Sequence, residues 1–253
     1  MRLRLIRHAT IVIEIGGHRL LIDPLLGPAG SQPPIPDSAN DRRNPLVELP
    51  IAATDVVAGI SAVLITHLHP DHIDMPAIEL LRGTTVLCQP GDVRQLTAGG
   101  LTPTPVPNGV DAAGIRIMRT GGRHGTGAIG REMGEVSGFV FSADREPTVY
   151  LAGDTVWCAE VESALSEHQP DVIVVNAGAA RFVAGDPITM DIPDVLAVCA
   201  AAPEAVVVAV HMEAINHCGL TRTVLRDAAD AAGFAGRVLT PADGETLELT
   251  VAA

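Results

Sequence analysis

The chain of 253 residues contains no lysine, so its 17 basic residues are all arginine, set against 30 acidic ones for a formal net charge of −13. A field of that sign repels phosphate backbones and excludes general nucleic-acid binding. It leaves room for a local arginine pocket that takes a small anion. Aromatic residues are equally scarce, at 2% against 47% hydrophobic residues overall, so aliphatic side chains must build the core. No apolar run reaches the ~18 residues needed to span a bilayer. The opening MRLRLIRHATIVIEIGG has strand character and lacks the apolar segment and cleavage site of a signal peptide. No basic amphipathic helix is present either, so stable membrane association is not expected. Cys88, Cys158, Cys199 and Cys218 lie far apart and form no CxxC pair. That excludes a thiolate zinc knot and a disulfide framework, and it fits a reducing cytoplasm.

What the sequence does have is SAVLITHLHPDHIDMPAIEL, residues 61–80. An apolar strand-like run, Ala62 to Thr66, ends in His67, His69, Asp71, His72 and Asp74, after which a helical pattern begins near Met75. Imidazole and carboxylate are good ligands for zinc, iron or manganese. Residues i and i+2 of an extended segment face the same way, so His67 and His69 can grip one ion together. Pro70 bends the chain and turns Asp71 and His72 toward a second position. Asp74 can bind metal or orient a histidine.

The rest of the chain alternates strand and helix patterns. Residues 2–7, 10–15 and 18–23 read as strands, with Gly16-Gly17 marking a hairpin. The third ends in Asp23, either a turn former or a group that orients a metal-bound histidine. Residues 25–50 are rich in Pro, Gly and Asn and show no period. A long irregular loop in a compact domain usually has a task, here a lid or wall of the site, with Arg42 or Arg43 facing substrate. Later strand ends carry Asp154 in Gly-Asp-Thr, Asn176 and His211, and His124 sits in a glycine-rich loop just past another strand. Helices are expected over 76–82, 91–99, 158–168, 190–202 and 221–232, with final strands at RVLT and ETLELTV. Such alternation makes sheets covered by helices, with sites at strand ends.

HLHPDH at 67–72, then His124, Asp154 in GDT and a strand-end His211, together with the opening ATIVIEIGGHRLLIDP, resemble the metallo-β-lactamase superfamily over almost the entire chain. Asp74 and the order of elements are similar to the branch containing ascorbate-6-phosphate lactonase and N-acylphosphatidylethanolamine phospholipase D. The resemblance implies an α/β fold, a four-layer αβ/βα sandwich formed as one domain over 1–253, with metals at one sheet edge. It implies that His67, His69 and His124 hold one ion and that Asp71, His72 and His211 hold a second, with Asp154 bridging. His217, six residues after His211, competes for the last position, but His211 directly follows its strand, where the family places its ligand. Neutral imidazoles with two carboxylates suit one or two divalent ions such as zinc, manganese or iron better than calcium.

The expected activity is hydrolysis of a small ester, lactone or phosphoester by metal-activated water. Asp71 would orient the water or take its proton, and His217 would protonate the leaving group. Arg123, Arg181 and Arg222 are candidates to hold an anionic substrate, and Asn176 to support the ligands from behind. The rival expectations are an iron-dependent redox enzyme or dioxygenase with the same ligands, and a non-catalytic metal sensor. The partner is a small molecule, and a homo-oligomer is compatible with the composition.

Overall fold

The computed structural model describes residues 1–112 and 114–250. Its first half runs β1 (Arg2–Arg7), β2 (Thr10–Ile15), β3 (His18–Ile22), α1 (Ala53–Val57), β4 (Ala62–Ile65), α2 (Met75–Leu80), β5 (Thr85–Cys88), α3 (Val93–Ala98) and β6 (Thr102–Pro105). The second half runs β7 (Gly109–Ala112), β8 (Ile115–Thr120), α4 (Gly127–Met133), β9 (Gly138–Ala143), β10 (Val149–Leu151), α5 (Ala159–His168), β11 (Val172–Asn176), α6 (Ile192–Ala201), β12 (Val206–Val210), α7 (Arg222–Ala231), β13 (Val238–Leu239) and β14 (Thr246–Glu248). One seven-stranded sheet has the order β14-β1-β2-β3-β4-β5-β6 and the other β13-β12-β11-β10-β9-β8-β7.

Side-chain alternation explains the layers. Leu5, Ile11, Ile13 and Leu64 of the first sheet meet Ile117, Phe139, Val174 and Val208 of the second in a shared central core. Alternate residues face outward: Val12, Val63 and Val86 pack beneath α2 and α3, and Ile173, Val175 and Val207 beneath α5, α6 and α7. Each fully buried aliphatic side chain contributes about 1.5–3 kcal/mol. This is the four-layer αβ/βα sandwich that the sequence implied. In the β2–β3 hairpin Ile15 pairs with His18, and Gly16 and Gly17 have φ of 57° and 79°, the positive pair that a two-residue turn of this hand requires.

Four elements have no clear sequence signal. α1 and α4 are short, and β7 is half-exposed. β6, sequence TPTP, is tolerated only because it lies at a sheet edge, where a missing amide costs little. Val251, the last residue of the predicted ETLELTV strand, lies outside the described residues.

Strand direction assembles the site. β1 and β3 are both antiparallel to β2, and β4 is parallel to β3, so β1, β3 and β4 end at one edge. In the other sheet β8 and β10 flank antiparallel β9, and β11 and β12 continue parallel to β10. The His211 amide donates to the His8 carbonyl at 2.9 Å, which joins the two edges.

The 25–50 loop is fastened at several points. Buried Arg7 donates to the carbonyls of Leu25, Gly27 and Val47 at 2.8, 2.9 and 2.9 Å. Leu46 donates its amide to Ala214 at 2.7 Å. The side chain of Asn216 accepts from Ile35 and Asn44 and donates to Ile35 and Asn40. The loop is thereby tied to the 211–217 segment.

Candidate metal centre

His67, His69, Asp71 and His72 leave the end of β4, His124 lies four residues past β8, Asp154 follows β10, and His211 directly follows β12. Gly153 has φ 71°, and a Cβ there would stand 2.7 Å from the Ser137 carbonyl oxygen, so glycine lets the chain turn and project Asp154. The residues expected to converge do so. His69 Nδ1 stands 2.9 Å from His67 Nε2 and 3.2 Å from His124 Nε2. Asp154 Oδ2 lies 4.0, 3.4 and 3.3 Å from the Nε2 atoms of His67, His124 and His72. Its other oxygen lies 3.4 Å from His211 Nε2. Asp71 Oδ2 is 3.5 Å from His211 Nε2 and 3.9 Å from His72 Nε2.

Among the described residues the donors form three groups whose ligand atoms lie within 4.8 Å of one another: His67 with His69 and His124, His67 with His72 and Asp154, and His8 with Asp71, His72 and His211. This set fits a cation by its own chemistry. The Nε2 atoms of His72 and His211 are buried among carboxylates and have no hydrogen-bond partner among the described residues.

Behind these atoms stands a buried frame. His72 Nδ1 meets Asp23 Oδ2 at 2.8 Å, and His124 Nδ1 donates to the Ile188 carbonyl at 2.7 Å. The Thr66 hydroxyl donates to Asp23 Oδ2 at 2.7 Å and stands 3.1 Å from His67 Nδ1. Asp23 therefore orients two imidazoles, one directly and one through Thr66, with Nε2 turned inward. Asn176 Nδ2 donates to Asp154 Oδ1 at 2.6 Å. The backbone is strained at these points: His8, Asp23 and His211 have φ of 60°, 43° and 65°, at about 1–3 kcal/mol each.

Electrostatics follow from burial and crowding. Burial raises the carboxyl of Asp154, but His211, His72 and His124 outweigh it and hold the group well below the usual carboxylate range. Asp71 is likewise raised by burial and held ionised by His72, His211 and His8. His211 is opposed by burial, yet Asp154, Cys218 and Asp71 lift it to about 10. His72 is lifted well above the usual range, against burial, by Asp154, Asp23 and Asp71. The two imidazoles lifted above the ordinary range are thus the two whose Nε2 atoms have no partner, so the carboxylates favour positive charge where a cation would sit.

Several expected residues do other work. Asp74 does not orient a histidine: its oxygens accept the amides of Leu26, Gly27 and Ala77, which fastens the loop and caps α2. Arg123 is paired with Glu160 at 3.0 Å on the surface. Arg222 is paired with Glu213 and Asp243 and donates to the Pro241 carbonyl. Arg43 donates to the carbonyls of Gly30 and Ser31. Internal partners thus claim these guanidiniums, whereas Arg181 is exposed with no ion pair among the described residues. His217 is buried near Asp71 and His211, lies outside all three donor groups, and its Nδ1 has no partner. Burial drives it to about 4, so at pH 7 its imidazole is neutral and carries a single N–H.

Sequence reasoning missed His8 and Thr66. His8 directly follows β1 and is fully buried, with Nε2 3.1 Å from Asp71 Oδ2. The available signal was its position at a strand end, the same signal that picks out His211. All four cysteines are free, and no helix among the described residues is long and apolar enough to cross a membrane.

Comparison with known proteins adds to this geometry. A family model described as a beta-lactamase superfamily domain matches residues 18–212. The UPF0173 protein YddR of Bacillus subtilis (strain 168) is 37% identical over 251 residues, covering 97% of this chain and 99% of the relative. The crystal structure of isothiocyanate hydrolase from Delia radicum gut bacteria aligns with a TM-score of 0.94 at 35% identity, over 98% of this chain and 99% of that one. The crystal structure of a possible metal-dependent hydrolase from Veillonella parvula DSM 2008 aligns with a TM-score of 0.95 at 33% identity, again over 98% and 99% of the two chains.

Proposed function

This chain belongs to the metallo-β-lactamase superfamily and is a metal-dependent hydrolase of that fold, and from that premise we propose that it adds water to a small electrophile such as an ester, lactone, phosphoester or isothiocyanate. The observation that carries this reading is the placement of Asp154 between two groups of inward-facing imidazoles, with one oxygen near His67, His124 and His72 and the other near His211. His67, His69 and His124 would hold one divalent ion, and Asp71, His72 and His211 a second, with Asp154 shared. Zinc is the ion the donor set favours, with manganese and iron as the other candidates. A divalent ion held by these residues would supply Lewis acidity, which makes water a stronger acid near neutral pH.

The protein's own groups supply the rest. Asp71, held ionised, is an acceptor for a water proton. His217, neutral and with Nδ1 unpartnered, is a hydrogen-bond partner for substrate or leaving group. Exposed Arg181 is placed two residues from buried Ala179 and donates its amide to the His217 carbonyl at 3.1 Å, and its guanidinium would meet an anionic substituent. Isothiocyanates enter the substrate class through the structural neighbour at 35% identity. Lactones enter through the resemblance to the ascorbate-6-phosphate lactonase branch.

The test is a substrate panel with zinc-, manganese- and iron-loaded protein: an aryl ester, a γ-lactone, an aryl phosphodiester, a thioester and an arylalkyl isothiocyanate. Turnover of at least one, lost in His67→Ala, is expected. No turnover with any metal, with chelation merely lowering the melting temperature, would replace this reading with a metal-sensing one. Oxygen consumption with iron alone would favour the redox reading.

A further inference from the structure

His8 is a buried histidine that the activity above does not use, and its surroundings are specific. Its ring lies against His211, with centroids 3.6 Å apart and planes tilted by 38°. Its carbonyl accepts the His211 amide at 2.9 Å. Its Nε2 stands 3.1 Å from Asp71 Oδ2, while its Nδ1 is buried with no partner among the described residues. His8 also keeps a left-handed backbone, φ 60°, that a non-glycine residue adopts only when its surroundings impose it.

These contacts decide between two roles. A ligating imidazole is oriented by a hydrogen bond at its far nitrogen, as His72 is by Asp23 and His124 by the Ile188 carbonyl. His8 has no such partner at Nδ1. A neutral imidazole carries one N–H. Placed on Nδ1, that hydrogen would be a buried donor without an acceptor, and the Nε2 lone pair would face a carboxylate oxygen 3.1 Å away. Placed on Nε2, it donates to that oxygen, and only an acceptor is left bare. We propose that His8 is a positioning residue: its Nε2–H holds the Asp71 carboxylate, and its ring and carbonyl hold His211, so that one residue at the end of β1 sets two donors of the second cation position. This rests on the reading of the site as a metal centre.

The test compares His8→Phe, which keeps the stacked ring and removes the donor, with His8→Gln, which keeps a donor. Ion content and affinity are read by elemental analysis and chelator competition with zinc, and folding by melting temperature. His8→Phe is expected to bind the second ion about 10–100-fold more weakly, and His8→Gln to recover most of that loss at unchanged stoichiometry. Equal affinity in His8→Phe and the parent, or loss of an ion in both variants, would overturn the proposal, the second outcome because it marks His8 as a direct ligand. Nitrogen-15 NMR of the zinc-loaded parent needs no variant: a proton on His8 Nε2 with Nδ1 bare is expected, and an unprotonated Nε2 would overturn it. Failure of the parent itself to bind zinc would instead sink the reading of the whole site.

Discussion

The turn at 66–74 and the turn at 211–217 have the same origin and divergent results. Each follows a buried parallel strand, β4 or β12, and each carries more than one histidine. In the first, His67 and His72 have their Nδ1 atoms engaged, through Thr66 and by Asp23, and both Nε2 atoms reach Asp154. In the second, His211 joins the cluster, with Cys218 Sγ 3.6 Å from its Nδ1 and the His8 ring beside it. His217 has no partner at Nδ1 and joins no donor group. The lesson is that a histidine's role depends on what holds its far nitrogen, since that contact fixes both the tautomer and the direction of the free lone pair.

The sharpest way to break this comparison is to remove a donor from the first turn. His67→Ala should lose metal, measured by elemental analysis, together with at least about a hundredfold in activity, because two of the three donor groups contain it. Full metal content in that variant would dissolve the distinction between the turns. The next effect is on the frame alone. Asp23→Ala leaves every ligand atom in place but frees His72 and Thr66, so chelator competition should show metal affinity about 10–100-fold lower. An unchanged affinity would mean that the far-nitrogen contacts do not matter.

His217→Gln should keep both metal content and melting temperature while lowering kcat by about tenfold, the worth of one hydrogen bond to substrate or leaving group. Loss of an ion in this variant would move His217 into the ligand set and erase the difference between the turns. A further probe uses His211, which is lifted to about 10 by Asp154 and its neighbours. It is protonated at pH 7 and must give up that proton to bind a cation, so zinc uptake by chelated protein should release protons at pH 7–8, and the His211 share should fade as pH rises through about 10. A dye assay in weak buffer reads this directly, and zinc uptake without proton release would contradict the charge state assigned to the second turn. The smallest effect belongs to Asp74, which caps α2 and clamps the 25–50 loop away from the imidazoles. Asp74→Ala should cost about 1–2 kcal/mol of stability with metal affinity unchanged, and a drop in affinity would return Asp74 to the ligand frame.

The hydrophobic pattern carried most of the strand and helix order and the strand ends bearing His67, Asp154 and His211, because burial imposes a period of two on strands and of 3.6 on helices, and the paired glycines marked the hairpin; α1, α4, β6 and β7 escaped it. The HLHPDH spacing likewise marked the cluster, since local geometry aims those side chains within one turn. Where the deciding contact is remote, the sequence offered a candidate without its partner, as for Asp23, or nothing at all, as for His8. Asp23 meets His72 from 49 positions away and His8 meets Asp71 from 63. Arg222 goes to Glu213 and Asp243, and the charge of His217 depends on how deeply it is buried. Which strand ends share an edge, which nitrogen of each imidazole is held, and which arginines are already spent are set by the stacking of the two sheets. Only that packing brings distant polar groups within hydrogen-bond reach and excludes the water that would otherwise level their differences.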